Sequence, residues 1–136
     1  MENLLLKKSY LLKDLKQVPF KDLWNSYGIF TTMRLIGKPP KILFYNQHIK
    51  NFIRSLEIYE IKSKNLSEKI NKIIRINIFK EIKYDHLLRI AANKKFISIS
   101  LRQRKEPNKN LTLKLLNYKR IDPKLKNLKY KKILNI

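Results

Sequence analysis

The hydrophobic period of this sequence changes twice, and the order of those changes constrains the fold more than any other feature. From Gly28, the run Ile29-Phe30-Thr31-Thr32-Met33-Arg34-Leu35-Ile36 is rich in β-branched and aromatic residues, which suit a pleated, half-buried surface. Gly37-Lys38-Pro39-Pro40 turns it, and the apolar run 41–44 forms the second arm of a hairpin. The spacing then becomes helical. Ile49, Phe52, Ile53 and Leu56 share one face while Lys50, Asn51, Arg54 and Glu57 take the other, which predicts a helix over 46–59. A second helix is announced by Asn65 as N-cap with Glu68 as its capping-box partner. Its apolar stripe is Leu66, Ile70, Ile73 and Ile74.

The period then returns to two. Leu88, Ile90 and Ala92 alternate with Leu87, Arg89 and Ala91, and after Asn93-Lys94-Lys95 the residues Ile97, Ile99 and Leu101 oppose Ser98, Ser100 and Arg102. Pro107-Asn108-Lys109-Asn110 reads as a turn, and Leu111-Thr112-Leu113-Lys114-Leu115 resumes the alternation as a further strand. Ahead of the hairpin, residues 4–12 read as an edge strand, followed by a loop through Pro19, Trp24 and Tyr27. Strands, two helices and strands again imply an α+β domain: an antiparallel β-sheet with two adjacent helices packed on one face.

A chain of 136 residues suits one domain. Residues 1–120 read as that lobe. Beyond Arg120 the sequence becomes a proline-marked, lysine-dense connector, so 121–136 reads as an interdomain segment running into the start of a second lobe, with 131–136 as an unfinished helical turn. The absence of cysteine excludes disulfides, thiolate nucleophiles and Cys-based zinc sites. His48 and His86 are too far apart and too unsupported to be metal ligands. With no secretory apolar core and no stretch near the ~18 residues of a membrane span, the expectation is a cytoplasmic chain with no membrane partner. The net charge of +22 admits an alternative, a small basic nucleic-acid-binding protein of ribosomal type. Lysine far outnumbers arginine, however, and no helix-turn-helix spacing, arginine cluster or aromatic-glycine RNA-binding strand accompanies the charge.

Three segments, in order, carry a family resemblance. Gly28-Ile29-Phe30-Thr31-Thr32-Met33-Arg34 resembles the early signature strand of the class IV aminotransferases, in the two-threonine variant of the aminodeoxychorismate lyases. His48 opens a helix at a spacing similar to the family's His-x-x-Arg element. Arg120-Ile121-Asp122-Pro123-Lys124-Leu125-Lys126-Asn127-Leu128-Lys129-Tyr130 resembles the interdomain segment in which a lysine followed by x-Leu-x-Tyr-like residues bonds to pyridoxal 5'-phosphate.

The resemblance implies the small N-terminal lobe of a fold type IV enzyme that binds this cofactor, acting either in amino-group transfer or in pyruvate elimination from aminodeoxychorismate to give 4-aminobenzoate. Lys126 would be the catalytic and cofactor-bonding lysine, because it sets Leu128 and Tyr130 at the family's spacing. Asn51 stands where the family has the arginine that grips the cofactor phosphate, and Arg54, nearly one turn on, points in a somewhat different direction. The implied partners are an amino acid or aminodeoxychorismate, with a homodimer or a companion chain completing the site. The family's second lobe supplies many of the convergent groups, so a lone first lobe is expected to be inactive by itself.

Overall fold

A computed structural model describes residues 4–106, 109, 110, 112–115, 117, 119, 120 and 122–130. Six strands form one antiparallel sheet: β1 (Leu4–Leu11), β2 (Gln17–Val18), β3 (Gly28–Gly37), β4 (Lys41–Ile42), β5 (Tyr84–Asn93) and β6 (Phe96–Gln103), in the order β2-β1-β6-β5-β3-β4. Helices α1 (Tyr45–Ile58) and α2 (Leu66–Asn77) follow β4, and a short 3-10 turn, Leu128–Tyr130, comes last. The α+β architecture read from the periodicity is the one observed.

The alternation in the strands sorts the two sheet faces. Met33 and Leu35 of β3, Leu88 and Ile90 of β5, and Ile97 and Ile99 of β6 are all buried against the helices. Those helices contribute Ile49, Phe52 and Leu56 from α1 and Leu66, Ile70 and Ile73 from α2. Each such side chain taken fully out of water contributes on the order of 1.5–3 kcal/mol, so this layer is the main source of stability. A smaller cluster of Leu23, Phe30, Ala91 and Leu128 lies on the other face, where the loop before β3 folds over the sheet. That loop is fastened by hydroxyls at the centre of the sheet. Ser9 accepts from the Lys21 backbone N–H at 2.8 Å and Ser98 donates to the Lys21 carbonyl at 2.6 Å.

Four expectations need correction. β1 is not an edge strand: β6 lies on one side of it and the short β2, which carried no sequence signal, on the other. The second arm of the β3–β4 hairpin is only two residues long, because Phe44 turns out of the sheet with φ 54°. Asn65 precedes α2 as expected, but it sits in the left-handed region with φ 54° and makes no side-chain cap, so the capping box is not formed. Its backbone carbonyl instead accepts from Lys69 N–H. Residues 112–115 form no strand, and Leu113 and Leu115 are 90% and 100% exposed. The alternation there has nowhere to pair: β6 already has β5 on one side and β1 on the other. Residues 107, 108 and 111 of that expected turn and strand, and the expected helical turn 131–136, lie outside the described residues.

Candidate functional site

The first half of β3 has a bare edge, because β4 reaches only Leu35 and Ile36. The connector fills it. Phe30 N–H donates to the Lys126 carbonyl at 2.9 Å, Ile29 bridges Asn127 in antiparallel fashion, and Asn25 N–H donates to the Leu128 carbonyl at 2.8 Å. Leu125 packs towards the main core while Leu128, fully buried, enters the smaller cluster on the opposite face. The segment therefore straddles the sheet edge, with its apolar residues as anchors on both sides. Gly28 is what permits this closeness. A Cβ there would collide with the Ala92 carbonyl oxygen and stand 2.8 Å from the Leu128 side chain.

A second tether fixes the start of the segment. Tyr59, just past the end of α1, donates to Asp122 Oδ2 at 2.7 Å and stacks on Tyr27 with ring centroids 4.4 Å apart. Burial holds the Tyr59 hydroxyl well above its ordinary pKa, with the hydrogen bond to Asp122, that carboxylate's charge and Tyr27 adding to the effect. The phenol thus stays protonated and able to donate.

Between α1, the β3 edge and this segment lies a solvent-open cavity of about 380 Å³, within the size range of small-molecule sites. α1 supplies Gln47, Asn51 and Ser55, which repeat every four residues along one stripe, with His48 and Arg54 beside them. β3 supplies Thr31, whose hydroxyl meets His48 Nδ1 at 3.3 Å. Lys124 and Lys126 close the remaining side, both with exposed side chains. Phe44 stands at the rim, turned outwards by its left-handed backbone and 74% exposed. His48 is held below its usual pKa, first by burial and then by the charge of Lys126.

Lys126, Asn51 and Arg54, singled out from the sequence, line this same cavity. Arg54, three residues on from Asn51 and so about 60° round the helix, points somewhat differently yet borders the same space, within reach of a long guanidinium. Gln47, Ser55 and Lys124 were not singled out. The first two lie four residues either side of Asn51, so the helical period alone marks them once Asn51 is chosen. Lys124 is indistinguishable in sequence from the surrounding lysines. The lining residues include three permanent or usual cations and no carboxylate, so the cavity suits an anion.

His86 lies far from this site, buried in β5 against Tyr84. No group of three His, Cys, Asp or Glu able to hold a metal occurs among the described residues, and no helix among them is long and apolar enough to cross a membrane. Comparison with known protein families, with characterised proteins and with solved structures finds no match to this chain.

Proposed function

We propose that the cavity is one half of a pyridoxal 5'-phosphate site, and that the chain acts as the N-terminal lobe of a class IV aminotransferase or aminodeoxychorismate lyase. The observation that carries this reading is convergence. The lysine chosen by its Lys-x-Leu spacing and the helix residues chosen by their distance from the Thr31-Thr32 strand are remote in sequence, yet they line one cavity. The cations suit the phosphate in charge and the cavity suits a phosphorylated pyridine in size. A carboxylate to pair with a pyridine nitrogen is not among the lining residues, so that contact falls to groups outside them.

The cofactor, when bound, supplies an electron-withdrawing ring that lets a proton leave an amino-acid α-carbon. The chain's own residues bind and orient. Arg54 and Asn51 hold the phosphate, and the Ser55 hydroxyl, which also donates to the Asn51 carbonyl, lies beside them. Lys126 is the residue that would hold the cofactor's aldehyde carbon through its amine, and the same amine would carry a proton to and from a substrate's α-carbon. Its backbone is fixed by Phe30 N–H, so the side chain swings from a stationary base. His48 stays neutral and keeps the Thr31 hydroxyl oriented towards the cavity.

The test compares pyridoxal 5'-phosphate with unphosphorylated pyridoxal by titration, following the visible absorption of the lysine-bound form. Saturable, one-to-one binding that prefers the phosphate at least tenfold, and loses that preference in Arg54→Ala, is expected. Equal, unsaturable reaction of both aldehydes would remove the reading.

A further inference from the structure

The stripe of α1 that lines the cavity does not end with Ser55. Gln47, Asn51 and Ser55 repeat every four residues, and the next place on that line is Tyr59, which caps the helix. Its ring is buried and stacked on Tyr27. Its hydroxyl leaves the helix for the opposite wall, donating to Asp122 Oδ2 at 2.7 Å. One helix face therefore both lines the cavity and grips the segment that closes it.

Asp122 begins a tight turn. Leu125 N–H donates to the Asp122 carbonyl at 2.9 Å, with Pro123 at the first central position, where its fixed φ suits such turns, and Lys124 at the second. The turn's other hydrogen bonds among the described residues stay within the connector: Asn127 Nδ2 donates to the Asp122 carbonyl at 3.4 Å, and Arg120 to the Leu125 carbonyl at 3.0 Å. Tyr59 is thus the hydrogen-bond tie between this turn and α1. Asp122 itself takes φ 45°, a left-handed backbone that a non-glycine residue keeps where its surroundings over-determine it. Lys126 is placed differently, its carbonyl bonded to Phe30 N–H of β3 at 2.9 Å. The two lysines of the cavity wall therefore hang from separate supports, Lys126 from the sheet and Lys124 from the turn.

Charge gives the second lysine its task. A phosphate monoester carries close to two negative charges at neutral pH. Arg54 supplies one cation from α1, and Lys126 serves the aldehyde. No carboxylate lines the cavity, and the Lys124 side chain has no hydrogen-bond or ion-pair partner among the described residues. Building on the pyridoxal 5'-phosphate reading of the cavity, on which the assignment rests, we propose that Lys124 is the second cation on the ligand's phosphate, together with Arg54, and that Tyr59, acting through Asp122, is the positioning residue that holds it there. Undoing the Tyr59 bond frees the turn to swing away from α1. The phosphate then loses one of its two cations while the sheet-bound Lys126 stays in place.

Tyr59→Phe removes the hydroxyl and keeps the stacked ring; should it not fold, Asp122→Asn weakens the same bond from the other side and carries the same comparison. Hydrogen exchange of the full chain without ligand is expected to quicken about tenfold at the Leu125 amide in Tyr59→Phe, and less than about threefold at Phe30. Titration with pyridoxal 5'-phosphate and with pyridoxal then gives the preference for the phosphate. That preference is expected to fall about fivefold in Lys124→Gln and about threefold in Tyr59→Phe. In the double variant the loss is expected to equal that of Lys124→Gln alone, because the hydroxyl acts through that lysine. Lys50→Gln, an equal charge change on the exposed side of α1, is expected to change the preference less than about twofold. A native preference untouched by Lys124→Gln, losses that multiply in the double variant, or Leu125 exchange unaltered by Tyr59→Phe would each overturn the proposal and leave the cofactor reading standing. A native chain with no preference for the phosphate would overturn both.

Discussion

Gly28 shows how a single residue sets the path of the chain. Its hydrogen in place of a methyl lets the 126–128 segment lie against β3 and β5 at once. Gly28→Ala is expected to destabilise the fold by about 1–3 kcal/mol through overpacking, measured by chemical denaturation, with the loss shared by backbone protection at Phe30 and Asn25. His48 makes a different statement. Its depressed pKa means that the folded chain binds that proton less readily than the unfolded chain. The associated stability is therefore present above the ordinary histidine pKa of about 6.5 and is lost as pH falls through the folded value. Relative to the native chain, His48→Gln is expected to flatten the fall in stability between about pH 7 and pH 5; an unchanged profile would show that the imidazole is not coupled to folding. Asn51 and Lys126 could be marked from motif spacing, but the Tyr59–Asp122 tether could not. It joins residues 63 apart in sequence, and nothing local in either residue announces the partner.

Among the elements, those with strong periodicity were legible and those defined by what lies beside them were not. α1 and α2 were visible because four apolar side chains recur on one face of each, and β5 and β6 because side chains alternate over residues 87–92 and 97–102. β2 is two residues long and has no pattern of its own. Residues 111–115 had the pattern of a strand, but pairing is a property of the sheet, and β6 has no free side to offer. Leu113→Ser and Leu115→Ser are accordingly expected to alter stability by no more than about 0.5 kcal/mol each, whereas Leu56→Ala, fully buried in α1, is expected to cost about 2–5 kcal/mol. Denaturation midpoints of the three variants separate the two cases. A large loss at Leu113 or Leu115 would mean that these side chains are covered in solution.

For the molecule as a whole, the sheet and helices form a platform, and the connector laid along its edge turns a bare strand into the wall of a cavity. Layer architecture followed from the order of periodicities. The cavity did not, because it depends on a β3 edge left open by a short β4 and filled at Ile29 by Asn127, far along the chain. Its lining of cations, amides and hydroxyls is the physical content of the functional proposal. The measurement that bears on it most directly is the location of the cofactor after reduction with borohydride, read by peptide mass mapping at substoichiometric pyridoxal 5'-phosphate. The expected result is a single modified peptide bearing the label on Lys126, lost in Lys126→Arg and diminished in Arg54→Ala. Label spread over the exposed lysines of the surface, with Lys126 no more modified than Lys50 or Lys72, would contradict it.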